Sequence, residues 1–135
     1  MSFHLKQQLP KITDKTLLKR ALATLKYQLT EHEKPVEIRG FDREILETQC
    51  ALVVSRTDTG LGADIGFHQE PDGSFSIVSD DYAIQNLPEI IASLKRTYEE
   101  EKAIATARKM GYRVASRGRW IERGEKQFLQ LRLTR

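Results

Sequence analysis

The tetrapeptide EPDG at residues 70–73 constrains the fold of this 135-residue chain more than any other local feature. Proline suits the second position of a type I turn, aspartate tolerates the third, and glycine supplies the positive φ of the bulge that follows. Such a turn joins two antiparallel strands, here residues 63–69 and 74–80. Counting outward from the turn places Phe67 opposite Ile77, so we expect a hairpin with these two side chains on its apolar face.

The same register brings polar side chains together on the other face of the hairpin. Asp64 faces Asp80, and His68 lies on the same face opposite Ser76. Opposed carboxylates weaken strand pairing by about 0.2 to 1 kcal/mol in an exposed sheet. Two interpretations stay open: a metal or acid–base site formed by Asp64, His68 and Asp80, or a solvated sheet face with no site. No recognised metal-ligand spacing accompanies the three residues, which favours the solvated face.

Two segments with helical periodicity flank this hairpin. Apolar residues spaced three and four apart follow the capping pair Thr13-Asp14, which predicts a helix over about residues 14–30. A second helix is predicted over about residues 87–110, ending where Gly111 provides a left-handed stop. Each helix has an apolar face, as helices that pack on a sheet do.

Short apolar runs elsewhere in the chain are typical of strands. We expect strands at residues 3–9, 36–41 and 48–56, and a second hairpin with strands at 112–122 and 126–134. The element order is then β-α-β-β-β-β-α-β-β. This order predicts an α+β fold, with an antiparallel sheet of about five to seven strands and two helices packed on one face. The length predicts a single domain over residues 1–135.

Several classes of site lack support in the sequence. Cys50 is the single cysteine, which excludes an internal disulfide and a cysteine-paired zinc motif, and its apolar neighbours predict a buried side chain. No complete phosphate-binding glycine motif and no nucleophile elbow occurs. We therefore expect no cofactor and no resident metal, and we favour a protein that is not an enzyme. The chain also lacks a secretory signal and a membrane-length apolar run, so a cytoplasmic location without membrane contact is expected.

Charge is distributed unevenly along the chain. Of the 22 Lys and Arg residues, nine lie in residues 108–135, against two of the 19 Asp and Glu residues. The tail is therefore +7 and the remainder −4, within a net charge of +3. Such asymmetry predicts an acidic partner, either a protein complex or a nucleic acid.

The basic tail contains the candidate binding residues. Arg113, Arg117 and Arg119 share one strand face if the strand is regular, because their spacing is even. They would form a basic stripe beside Trp120, with arginine suited to phosphate and the indole suited to stacking on a base. The alternative is a buried Trp120, with the arginines paired to the acidic run at residues 99–101. The candidate residues are Arg113, Arg117, Arg119, Trp120, Arg123, Lys126 and Arg132.

Motifs spread over nearly the whole chain resemble those of a known family. They are a central DIGF at residues 64–67, an acidic and aromatic DDYAI at residues 80–84, and a helix that contains Tyr98 and ends in Gly111-Tyr112. In this combination the chain is similar to the family of the plastid and cyanobacterial hypothetical chloroplast reading frame thirty-five and its bacterial relatives, a domain of unknown function. The resemblance implies no catalytic residues, and it implies an accessory role associated with an AAA-type ATPase.

The function expected from these observations is binding and not catalysis. We predict a small accessory module that acts on a macromolecular complex, with an AAA-type ATPase as the implied partner, through its basic C-terminal hairpin. Two alternatives stay open: a protein that binds RNA or DNA directly, and a metal-dependent or acid–base enzyme that uses Asp64, His68 and Asp80. The oligomeric state does not follow from the sequence.

Overall fold

The computed structural model describes residues 4–59 and 62–134. Its elements follow the predicted order, with one short helix and a 3₁₀ turn added. The strands are β1 (His4–Leu9), β2 (Thr30–Val36), β3 (Cys50–Val54), β4 (Ile65–Gln69), β5 (Phe75–Asp80), β6 (Arg113–Arg123) and β7 (Lys126–Thr134). The helices are α1 (Lys15–Thr24), α2 (Arg56–Thr59) and α3 (Leu87–Lys109), and the 3₁₀ turn is at Phe41–Arg43.

The strands form two separate sheets. Strands β1 to β5 make a five-stranded sheet in the order β1-β5-β4-β3-β2, and β6 and β7 make a two-stranded ribbon. The strand pairs in both sheets are antiparallel. The predicted α+β class is therefore confirmed, although the last two strands form their own ribbon and do not extend the main sheet. Phe3, predicted as the start of the first strand, lies outside the described residues.

The central hairpin has the register that its turn predicts. Phe67 pairs with Ile77 across β4 and β5. At the turn, the amide of Glu70 donates to the carbonyl of Ser74 at 2.7 Å, and Gly73 has a φ of +90°. The pairing and the positive φ at the closing glycine are both confirmed.

The apolar face of the main sheet packs on both long helices. Phe67 and Ile77 lie in the same buried cluster as Leu22 of α1 and Leu94 of α3. Tyr98 of α3 belongs to this cluster and is only 1% exposed. Burial of apolar side chains is the dominant favourable term in folding, so this cluster is the main source of stability.

A second, smaller core lies on the opposite face of the sheet. It consists of Ile38, Leu46, Cys50, Val53 and Val78. The first two residues come from the segment between β2 and β3, so this segment covers the face that was expected to be solvated. Burial raises the pKa of the Cys50 thiol to about 12, which keeps the thiol neutral near pH 7. The prediction of a buried cysteine is confirmed.

Gly66 leaves room for the second core. A Cβ atom at this position would lie 2.6 Å from the Cys50 sulfur and 3.0 Å from Cδ1 of Ile38. We therefore expect Gly66→Ala to lower the free energy of unfolding by about 1 to 3 kcal/mol, the usual range for overpacking a core. Adding Cys50→Ala removes the sulfur that the new methyl group would contact. The double variant should therefore lose less free energy of unfolding than the sum of the losses in the two single variants. Urea denaturation of the four proteins measures both effects, and additive losses would contradict the contact.

Helix α1 ends earlier than its periodicity predicts. Lys26 has a φ of +66°, and its amide donates to the carbonyl of Ala23 while the amide of Tyr27 donates to that of Leu22. These two bonds form a Schellman motif, in which glycine is the usual residue at the left-handed position. Because a lysine occupies that position here, the sequence contains no glycine signal for the end of the helix.

The strand predicted at residues 36–41 is misplaced. Strand β2 lies earlier in the chain and contains Pro35, and its ladder with β3 shifts register between Glu31 and Val36. Proline lacks the amide hydrogen that a central strand needs, but β2 is at the edge of the sheet, where only one side of the strand pairs. The edge position explains why a proline is tolerated within this strand.

Candidate functional site

The β6–β7 ribbon packs against α3 and leaves most of its own surface exposed. The pairing register shifts twice, between Val114 and Ser116 and between Ser116 and Arg119. Each shift adds one residue to β6, which breaks the alternation of side chains along the strand. The expectation that Arg113, Arg117 and Arg119 share one face by their even spacing is therefore wrong for Arg117, whereas Arg113 and Arg119 stay on one side because the two extra residues together restore the alternation.

Gly118 makes the second of these bulges possible. It has a φ of +93°, and a Cβ atom there would collide with the carbonyl oxygen of Gln130 on the facing strand. Only glycine adopts this positive φ without strain and leaves room for the facing carbonyl group. Next to this bulge, the side chain of Arg117 reaches α3, where its guanidinium nitrogens lie 3.2 Å from Oε2 of Glu100 and 2.7 Å from Oε1 of Glu101. Arg117 is thus a structural contact between the ribbon and the helix.

Trp120 is held on the side of the ribbon that faces α3, here named the inner side. Its indole N–H donates to Oε1 of Glu100 at 2.7 Å. The guanidinium carbon of Arg96 lies 5.9 Å from the ring centroid, within the range of a cation–π contact. The indole is half-buried, so it is neither a core residue nor a fully exposed one. The alternative in which arginines pair with the acidic run is confirmed for Arg117.

The side of the ribbon away from α3, here named the outer face, is basic. Residues directly paired across two antiparallel strands have side chains on the same side, and successive pairs alternate between the two sides. The pair of Trp120 with Leu129 marks the inner side, so the next pair, Ile121 with Phe128, is on the outer face. Strand β7 is regular, so every second one of its residues lies on the outer face. The cross-strand pairs on this face are Arg113 with Thr134, Ser116 with Arg132, Arg119 with Gln130, Ile121 with Phe128, and Arg123 with Lys126.

The outer face has five basic side chains and, among the described residues that form it, no acidic one. None of these five side chains takes part in an ion pair within the part of the chain that the structure describes. Phe128 lies among them and is 50% exposed. Five of the predicted binding residues are thus together on one surface, whereas Arg117 and Trp120 contact α3.

Asp64 is buried, and its carboxylate binds backbone amides. One oxygen accepts from the amide of Arg39 and the other from the amide of Arg56, both at 2.8 Å. The backbone carbonyl of Asp64 also accepts from the hydroxyl of Ser79 at 2.8 Å. The expectation of a solvated carboxylate is wrong, because chain segments before the 3₁₀ turn and at the start of α2 fold over this residue.

Asp80 has a similar role at the end of β5 and is also buried, at 0% exposure. Its Oδ2 accepts from the amide of Phe41 at 2.7 Å, and its Oδ1 accepts from the amides of Tyr82 at 3.0 Å and Ala83 at 3.3 Å. Charge-assisted bonds of this kind offset the cost of burying a carboxylate. The two loops that Asp80 joins bring the rings of Phe41 and Tyr82 into an edge-to-face contact with centroids 5.0 Å apart.

His68 lies apart from the two aspartates. It pairs with Ser76 and is four residues from Asp64, which is roughly 13 Å at the rise of an extended strand. Across residues 4–59 and 62–134, no group of three or more His, Cys, Asp or Glu side chains is arranged to hold a metal ion. The observed contacts of Asp64 and Asp80 are structural, since both carboxylates hold loops against the sheet.

The sequence identifies the α3 residues that hold the ribbon only in part, because Glu100 and Glu101 lie in the acidic run given as the alternative partner of the arginines, whereas Arg96 is not among the candidates. Arg96 and Glu100 are four apart on a helix and therefore lie on the same side, next to Trp120. Glu101 contacts Arg117 and also accepts from the hydroxyl of Thr24 in α1 at 2.9 Å. The spacing of Arg96 and Glu100 is visible in the sequence, but their contact with Trp120 is not.

Comparison with known proteins identifies a family. A family model described as "Protein of unknown function (DUF1257)" matches residues 21–125. No curated protein and no solved structure gives a significant match. Within the described residues there is no helix with the length and apolarity needed to cross a bilayer. The matched segment begins in α1 and extends past the end of β6, so the chain belongs to this family of unknown function, as its motifs imply.

Proposed function

We propose that the protein is a non-catalytic accessory module that binds an acidic macromolecule through the outer face of its β6–β7 ribbon. The observation that supports this proposal is the charge of that face, with five basic side chains and no acidic one among its described residues. A surface of one sign steers an oppositely charged partner and sets its orientation. The partner that we favour is a protein complex, and the family resemblance suggests an AAA-type ATPase.

The contrast between Arg117 and the outer-face arginines supports the assignment. Arg117 has two carboxylate partners within its own chain. Arg119 and Arg132 have no carboxylate partner among the described residues, although Nε of Arg119 donates to Oε1 of Gln130 at 3.3 Å. Their positive charges are therefore not neutralised within the described residues and can bind carboxylates or phosphates of a partner. Phe128 and Ile121 add apolar area between them, and aromatic residues with arginine are the types enriched where proteins bind each other.

Direct binding of RNA or DNA is a second candidate. It is favoured by the exposed Phe128 among the arginines, because aromatic rings stack on bases while arginine binds the backbone phosphates. A two-stranded ribbon also has dimensions that the major groove of duplex DNA accepts. If this candidate holds, the affinity should fall steeply as salt is raised, in proportion to the number of phosphates contacted.

Affinity purification from the native cell, with and without nuclease, tests the proposal. The wild-type chain should recover a partner, and the double reversal Arg119→Glu with Arg132→Glu should weaken that recovery by roughly tenfold or more. The matched control is Arg20→Glu with Lys34→Glu, which changes the net charge equally on exposed residues outside the ribbon. A partner that survives nuclease is a protein, and one that is lost is held by nucleic acid. Equal recovery by the outer-face variant and the control would contradict the proposal.

A further inference from the structure

A cleft lies between the inner side of the ribbon, helix α3 and the segment that joins β1 to α1. Its volume is about 390 Å³, within the range of small-ligand sites. Its apolar lining includes Leu9, Ile12 and Trp120. Leu9 and Ile12 belong to the main buried cluster, so this part of the lining is formed by the folded core.

Three cationic residues line the same cleft. Lys11 comes from the segment between β1 and α1, and Lys95 and Arg96 come from α3. None of the three takes part in an ion pair among residues 4–59 and 62–134. Glu99 is an acidic residue of the lining, so the balance is positive. The cleft therefore combines an apolar surface with an excess of positive charge.

The indole in this cleft is positioned before any ligand arrives. Glu100 accepts the hydrogen bond from Trp120, and the guanidinium of Arg96 lies over the indole ring, 5.9 Å from its centroid. Glu100 is itself bound to Arg117, which holds the carboxylate in place. A side chain that is already ordered loses little conformational entropy when a ligand contacts it, and this favours affinity.

We propose that this cleft binds a phosphorylated nucleoside, with the base against Trp120 and the phosphate near Lys11 and Lys95. Cations on two sides of a cleft suit a group with more than one negative charge, such as a phosphate, better than a single carboxylate. An indole stacks well on a nucleobase, and the side-chain amide of Gln127 in the lining can donate to and accept from a base edge. This phosphorylated nucleoside is either a free nucleotide or the end of a nucleic-acid chain. The cleft is on the inner side of the ribbon, so this inference does not depend on the proposed outer-face interaction.

Fluorescence of Trp120 tests the inference directly, because it is the only tryptophan in the chain. Titration with adenosine monophosphate should give a saturable change, confirmed by calorimetry, with an affinity roughly tenfold or more above those of adenosine and inorganic phosphate. Lys11→Ala with Lys95→Ala should weaken binding of the monophosphate by roughly tenfold or more. The control Arg20→Ala with Lys34→Ala removes two exposed cations elsewhere and should leave the affinity unchanged.

A short single-stranded oligonucleotide with a 5′ phosphate distinguishes the two sources. Tighter binding than the monophosphate indicates a chain end, and equal or weaker binding indicates a free nucleotide. The inference is overturned if neither fluorescence nor heat changes up to roughly 10 mM monophosphate. It is also overturned if the Lys11 and Lys95 double variant, shown by circular dichroism to be folded, binds as tightly as the wild type.

Discussion

Replacing Asp80 by alanine is expected to lower the free energy of unfolding by about 3 to 5 kcal/mol, because three backbone amides lose their acceptor. These amides belong to Phe41, Tyr82 and Ala83. A buried amide without a partner costs about 1 to 3 kcal/mol, which makes the loss larger than that of an ordinary surface change. Thermal and urea denaturation, followed by circular dichroism, measure this loss.

The neighbouring residue supplies the control for this experiment. Asp81 is exposed and has the same side chain, so Asp81→Ala should change the free energy of unfolding by no more than about 0.5 kcal/mol. Asp80→Asn keeps one acceptor oxygen, so its loss in the free energy of unfolding should lie between those of Asp80→Ala and Asp81→Ala. If Asp80→Ala costs no more than Asp81→Ala, the carboxylate does not hold the two loops in the way that the hydrogen bonds indicate.

Truncation of Tyr98 to alanine should lower the free energy of unfolding by about 3 to 5 kcal/mol, the range for removing a large buried aromatic ring. The ring is 1% exposed and lies in the main core. Its hydroxyl accepts from the amides of Thr13 at 3.3 Å and Asp14 at 3.1 Å, where α1 begins. Asp14 is the N-cap of α1 and bonds the amide of Leu17, so Tyr98 connects α3 to the start of α1.

Two further variants separate the packing of the Tyr98 ring from the hydrogen bonds of its hydroxyl. Tyr98→Phe retains the ring and removes the acceptor, so it should cost about 1 to 2 kcal/mol. Met110, 64% exposed just after α3, provides a control for truncation of a large apolar residue, and Met110→Ala should be close to neutral. A loss for Tyr98→Phe as large as that for Tyr98→Ala would show that the hydroxyl, and not the packing of the ring, accounts for the stability.

The choice of variants on the ribbon depends on the two bulges in β6. A test of the basic tail based on spacing alone would reverse the charge of Arg117. That change breaks the contacts of Arg117 with Glu100 and Glu101, and so weakens the attachment of the ribbon to α3. Arg119 and Arg132 lie on the outer face, and changes there report on binding without altering the contact to α3. The paired and unpaired arginines therefore separate a structural role from a proposed binding role.

Helix ends show how far local sequence signals are sufficient. The end of α3 at Gly111 is predicted correctly, with a φ of +87° and the amide of Tyr112 bonded to the carbonyl of Ala107. Helix α1 ends with the same arrangement of bonds at Lys26, and that end is not predicted. Glycine adopts the left-handed conformation at no steric cost and so marks the stop, whereas lysine adopts it only when the surrounding structure offsets the strain.

The sequence by itself determined the central hairpin, its register, the α+β class and the uneven charge of the tail, because turns, periodicity and charge depend on residues close together in the chain. The tertiary structure alone decided that the second face of the sheet, expected to be solvated, is buried as well. Asp64 and Asp80 are buried because amides from Arg39, Arg56 and Phe41 approach them. Likewise, the partners of Trp120 lie on a helix that precedes it in the chain. Spacing within one strand does not specify which distant segment packs against it, since that packing is settled only when the whole core assembles.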